Sequence, residues 1–208
     1  MYICNPFMKE SITHTATELF LTQGFKSVTM DDIANHLTMS KKTLYQHYSN
    51  KETIVAVVVD SLFENICGVI DGICALKKNP IEEVYEIKKQ VMHHLKDEAS
   101  APMHQLQKYY PKIYTSLKER QFHYMQECVV DNIKRGLEEG LFRPNIDVEF
   151  VSRIYFNGVT GIKDSQLFPT SMFAPSELFD SFLEYHLRGI VTPKGRKKLN
   201  KLIHSTQD

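Results

Sequence analysis

The 208-residue chain has no net charge, since 25 Lys and Arg balance 25 Asp and Glu. A global attraction to nucleic acid or to an anionic surface is thereby excluded, and any such partner has to be met by a local patch. Cysteine is sparse too: Cys4, Cys67, Cys74 and Cys128 stand far apart, without the paired spacing of a zinc site or a disulfide framework. Free thiols in a reducing, cytoplasmic setting are the simplest reading. The opening MYICNPFM lacks both a basic region and a sufficient apolar run, and the apolar stretch from Ile54 to Val59 is far below a membrane span. No membrane partner is expected. Strand-like alternation, internal repeats and low-complexity segments are also missing, which leaves helix. Neither a nucleophile elbow nor a phosphate-binding glycine loop occurs, and the carboxylates are scattered as helix-surface charges. Nothing in the chain therefore calls for catalysis, a cofactor or a bound metal.

What is present is concentrated in Thr29 to Lys51, TMDDIANHLTMSKKTLYQHYSNK. Thr29 is placed to cap a helix, with Asp31 and Asp32 in the first turn where the helix dipole favours negative charge. Ile33, Ala34 and Leu37 form one apolar face, Thr38-Met39 is a tight turn, and Ser40 caps a second helix whose inward residues are Leu44 and Tyr48. Lys41, Lys42, Thr43, Tyr45, Gln46 and His47 point away from Leu44, and none is acidic. A short helix held by another, with cations and hydrogen-bonding groups outward, is the physical description of a helix-turn-helix. The preceding helix, residues 9–23, brings Ile12, Ala16, Leu19 and Phe20 to one face. Gly24 follows where a left-handed residue closes a helix, and Phe25 can fold back over its end.

The strings T-x-x-D-I-A, S-K-K-T-L-Y-x-H-Y and N-K-E resemble the DNA-binding domain of the tetracycline-repressor (TetR) family of bacterial transcription regulators. The resemblance is dense from Phe25 to Ile54 and looser over the first helix. The family usually has glycine in the turn, where this chain has Thr38; keeping glycine's positive φ there would cost about 1–2 kcal/mol, and a slightly altered turn is expected. The resemblance implies an N-terminal helix-turn-helix domain, residues 1–50, and a helical effector-binding and dimerisation domain, residues 51–208. By position in the reading head, Lys42, Thr43 and Gln46 are expected to reach base edges, and Thr29, Lys41, Tyr45, His47, Tyr48 and Lys51 to meet phosphates. The local charge is modest: residues 1–55 hold five lysines and five acids.

The rest of the chain is read as helices punctuated by proline and glycine, giving an all-α fold of about nine helices. Asn50 caps a helix running towards Leu76, long enough to leave the first domain. Pro80, Pro102 and Pro111 open or cut the next three, and Gly140 with Pro144 closes the long helix of residues 112–139. Asp147 is expected to cap residues 148–163, and Ser176 to cap the last large helix.

Between Tyr85 and Tyr124 the chain gathers aromatic rings, methionines and histidines. Ordinary bundle core explains any one of them; with the resemblance, the group suggests a pocket for a largely apolar small-molecule effector, lined by His93, Met103, Tyr109, Phe122 and Met125. A metal site from His93, His94, His104 and Cys128 is disfavoured, because adjacent histidines on a helix cannot face one centre. The last two large helices are expected to pair with a second copy through Val151, Ile154, Tyr155, Gly158, Ile162, Phe179, Phe182, Leu183 and His186, since the family forms homodimers and one head reads only a half-site. The function implied is a ligand-responsive regulator, a repressor by preference, on a near-palindromic double-stranded DNA operator. The rival is a small-molecule-binding or scaffolding helical protein with a vestigial helix-turn-helix.

Overall fold

The computed structural model describes the backbone of residues 6–95 and 100–205 and the side chains of residues 7–92 and 102–203. Ten helices occur among the described residues, against about nine expected: α1 (Pro6–Gln23), α2 (Met30–His36), α3 (Lys41–His47), α4 (Lys51–Ala75), α5 (Pro80–Leu95), α6 (Ser100–Tyr109), α7 (Pro111–Glu138), α8 (Val148–Gly161), α9 (Pro175–Ile190) and α10 (Pro193–Ser205). The described residues form no strand, only one isolated bridge between Phe142 and Val191. The fold is all-α.

Most boundaries fall at the side chains that can make them. Asn50 Oδ1 accepts from the Thr53 backbone N–H at 2.9 Å, and Asn79 Oδ1 from Ile81 and Glu82, each at 3.2 Å. Asp147 Oδ1 accepts from Phe150 N–H at 3.0 Å. Gly24 and Gly140 take positive φ at 87° and 65°, the left-handed conformation that closes a helix without a Cβ penalty. Ser176 does not cap α9. Ala174 stands at the N-cap with no side-chain hydrogen bond, because Pro175 already has the fixed φ of a first helical residue and starts the helix two positions earlier.

The chain divides into two compact units, Met1–Cys67 with His94–Arg120, and Gly68–His93 with Gln121–Asp208. A cut at residue 50 would therefore split the first unit. Its core joins Ile12, Phe20, Ile33 and Leu44 from α1–α3 to Ile54, Val55 and Val58 of α4, Leu106 of α6 and Leu117 of α7. Burial at about 25 cal/mol per Å² makes these later helices part of what holds the first three together. By length and composition α4 could cross a membrane. Its apolar residues Ile54, Val55, Val58 and Val59 are, however, core in this unit.

The second unit has two apolar clusters. One gathers Ile81, Ile133, Leu141, Phe142, Leu187 and Leu199; the other is built on Val159, Phe179 and Leu183. Between α5 and α7 lies a buried polar network. Glu83 is 1% exposed, and its Oε1 accepts from Asn132 at 2.8 Å and from the Arg135 guanidinium. Asn132 also donates to the Pro80 carbonyl at 3.0 Å, fixing the start of α5 on α7.

Candidate nucleic-acid interface

The reading head is built from α2 and α3. Thr29 caps α2 in a capping box: its hydroxyl accepts from Asp32 N–H at 3.2 Å, and Asp32 Oδ2 accepts from Thr29 N–H at 2.8 Å. These Thr29 hydrogen bonds, the backbone one first, hold the Asp32 carboxyl below its ordinary range. Thr38 sits in the turn at φ 52°, so the turn keeps the left-handed conformation that glycine would take and is not altered as expected. Its N–H donates to Asn35 O and that of Met39 to Ala34 O, both at 3.0 Å, so the turn keeps its hydrogen bonds despite the β-branched residue.

Leu44 anchors α3 at 0% exposure, and Tyr48 follows at 5%. The Tyr48 hydroxyl lies 3.0 Å from that of Thr13 on α1. Tyr48 is thus a strut between α1 and α3, and of the nine residues singled out for DNA it presents the least surface. Lys41, Lys42, Tyr45 and Gln46 are exposed, and Thr43 and His47 are half-buried. Thr43 N–H donates to Ser40 Oγ at 3.0 Å, and the two hydroxyls are 2.7 Å apart.

Two of the lysines have partners within the unit. Lys41 Nζ lies 2.7 Å from Asp31 Oδ1 and 3.0 Å from Oδ2, and this hydrogen bond raises its pKa. Lys51 donates to the Lys26 carbonyl at 3.1 Å, above the Phe20 ring, and burial pushes its ammonium pKa down against the opposing pull of Asp32. The 29–51 string does not reveal either link. Asp31 is ten residues from Lys41, and only the angle of the α2–α3 turn brings them together.

The remaining expectations fare differently. Met103 and Tyr109 lie on α6 in the first unit, 37% and 38% exposed. Lys26 and Lys108 stand over the Tyr109 ring at 5.1 and 5.6 Å. Phe122 and Met125 belong to α7 in the second unit, where Phe122 meets Phe156 edge-on at 5.0 Å and Met125 packs on the Val159 cluster. The His93 side chain lies outside the described residues. These five are not gathered within one unit. A surface cleft of about 460 Å³ in the second unit is lined instead by Cys74, Lys77, Asp131, Arg135, Glu138 and Glu139.

On α8 and α9, Val151, Phe179 and Leu183 turn into the chain's own core, and a Cβ on Gly158 would fall 2.0 Å from the Phe182 ring. Tyr155, Phe182 and His186 form one ring cluster, and Ile162 packs beside it. Val151, Phe179 and Leu183 are thus buried within the chain, whereas Tyr155, Gly158, Ile162, Phe182 and His186 remain half-buried. The apolar residues left outside are Phe150, Ile154 and Tyr185, at 61%, 45% and 81% exposure. Only Ile154 was singled out from the sequence. Phe150 and Ile154, four apart on α8, were the periodic signal available for a second face.

Residues 12–58 match the family described as bacterial regulatory proteins, tetR family. Over 192 residues the chain is 21% identical to the transcriptional repressor KstR2 of Mycolicibacterium smegmatis, covering 91% of this chain and 93% of that one. It is 26% identical over 168 residues to IcaR, negative regulator of the biofilm operon icaADBC in Staphylococcus epidermidis, covering 69% and 87%. The fold is shared with a TetR-family transcriptional regulator from Cytophaga hutchinsonii, at a TM-score of 0.72, 16% identity and coverage of 92% and 98%.

Proposed function

Because the chain belongs to the tetR family of bacterial regulatory proteins, we propose that it is a repressor that grips a near-palindromic operator as a homodimer and is released by a small-molecule effector. The observation that carries this reading is the reading head: α3 is held by Leu44 and Tyr48 and presents Lys42, Tyr45 and Gln46 outward. Lys42 and Gln46 have the reach and donors for base edges, joined by Thr43 once its hydroxyl leaves Ser40. Lys41, Lys51, Tyr45, His47 and Thr29 border the phosphates, and Tyr48 acts from behind by fixing α3 on α1. Its relatives named for repression support the sign of regulation. The family's regulators are not enzymes, and they work in the bacterial cytoplasm.

The effector would be largely apolar, drawn to the aromatic and methionine side chains of α7, such as Phe122 and Met125. Its binding would act on the head through the long helices α4 and α7, each of which has residues in both units. A second copy would meet this one across Phe150, Ile154 and Tyr185.

A gel shift with the DNA flanking the protein's own coding region tests the reading. A retarded complex that unlabelled flanking DNA removes and scrambled DNA does not is the expected result. Gln46→Ala should weaken it and relax the preference at one or two operator positions, by about 1–3 kcal/mol, and Lys51→Ala should weaken binding to all sequences alike and lower the salt slope by about 1. No complex at micromolar protein would leave the vestigial helix-turn-helix as the better account.

A further inference from the structure

The charge on the reading head is partly cancelled from inside. Asp31 and Lys41 form a two-oxygen contact at 2.7 and 3.0 Å with both side chains more than half exposed. Asp31 adds negative charge to the first turn of α2, where the helix dipole favours it, but takes no part in the capping box. Its neighbour Asp32 makes the capping box with Thr29, and Asp32 also supplies negative charge in the first turn of α2. Lys51 is turned to the Lys26 carbonyl. Of the three lysines in the head, two are thus engaged at home, and residues 1–55 as a whole balance five lysines against five acids.

We propose that Asp31 sets the DNA affinity of this protein, competing with the phosphate backbone for Lys41 and so lowering affinity for every duplex sequence. The inference rests on the DNA-binding reading above and adds a residue to it. An exposed ion pair holds weakly, so Lys41 can leave Asp31 for a phosphate. The carboxylate then stays behind, beside the same phosphate, and repels it. Whether Lys41 stays or leaves, one phosphate goes without full neutralisation. Each phosphate neutralised adds about 0.9 to the salt slope, which amounts to roughly threefold in affinity between 50 and 200 mM salt. Asp31 makes no base contact in this scheme, so its effect is the same for operator and non-operator DNA.

The test is fluorescence anisotropy with two labelled duplexes, the flanking DNA and a scrambled version, across that salt range. Asp31→Asn should bind both about 3- to 10-fold more tightly near the low-salt end and steepen the salt slope by about 1. Lys41→Gln should cost about twofold or less in the wild-type background, and in the Asp31→Asn background it should remove the whole gain. Glu64→Gln, an exposed acid on α4, should change neither affinity nor slope. Thermal melting of each variant checks folding, and Asp31→Ser, which keeps a polar group in the first turn, repeats the charge removal if Asn destabilises α2. A wild type that binds neither duplex overturns the DNA-binding reading and this inference with it. A wild type that binds, with Asp31→Asn and Asp31→Ser unchanged or weaker in affinity and unchanged in slope, overturns this inference alone.

Discussion

His186 is a base placed where charge is costly. Its ring lies 5.1 Å from that of Tyr155 and 5.9 Å from that of Phe182, and burial pushes its pKa down to about 4. In the unfolded chain an imidazole titrates near 6.5. Between those values the unfolded state binds the proton that the folded state refuses, so stability is complete above pH ~6.5 and falls as pH drops towards ~4. The loss expected from this group is up to ~3 kcal/mol. Urea denaturation of wild type and His186→Phe at pH 7 and pH 4.5 checks it: the variant should lose clearly less stability over that interval. Equal losses would mean that His186 is not the group responsible. Residues differ in how far the sequence exposes such roles. The place of the turn at Thr38 was legible, but its conformation was not: an altered turn was expected, and the chain holds Thr38 at φ 52° instead. Asp31 was not legible either, because its partner is set by the angle between two helices and leaves no spacing in the string.

At the scale of elements, the ends of helices were easier to read than their faces. Asn50, Asn79, Asp147, Gly24 and Gly140 each act locally, through a hydrogen bond or a φ within a few residues, so the sequence carries them directly. The inward face of α8 and α9 depends on what packs there. Both helices carry apolar residues around much of their circumference, and periodicity alone could not separate Val151 and Leu183, which are internal, from Phe150 and Tyr185, which are not. The seat of α6 was equally hidden. Gln105 Oε1 accepts from the Lys26 backbone N–H at 2.8 Å, and Lys51 donates to the carbonyl of that same Lys26. Gly24 permits this approach, since a Cβ there would lie 2.5 Å from Gln105 Oε1. One residue of the α1–α2 link is therefore held by α6 on its N–H and by α4 on its carbonyl. Gln105→Ala should cost about 1 kcal/mol and speed hydrogen exchange at the Lys26 amide, while Gln105→Glu, which keeps an acceptor, should restore protection. Exchange at Lys26 that is unchanged in Gln105→Ala would show that this bond holds nothing.

At the scale of the whole molecule the question is what covers Phe150, Ile154 and Tyr185. These side chains leave large apolar surface on α8 and α9, at 61%, 45% and 81% exposure, while Val151, Phe179 and Leu183 are already buried within the chain. Under the proposed function a single head reads a half-site and a near-palindromic operator is matched by a twofold pair of heads, so a second copy is the occupant that the proposal calls for. A stable pairing needs about 800 Å² from each partner, more than three side chains supply, so neighbouring turns of both helices must join it. The exposed side chains nearest its centre should then dominate the energy, with aromatic residues foremost. Tyr185→Glu combined with Phe150→Glu puts charge on the proposed contact without touching the internal core, which rests on Val159, Phe179 and Leu183. The double variant should sediment as a folded monomer with a melting curve still cooperative, and it should lose operator binding even though every residue of its reading head is intact. Gly158→Ala is a different lesion, because its Cβ would meet the Phe182 ring inside the chain, so it should lower stability whether or not a partner is present. Analytical ultracentrifugation at micromolar concentration separates the two. A wild type that sediments as a monomer, or a double variant that remains dimeric, would mean that these residues serve some other contact and that two copies meet elsewhere or only on DNA.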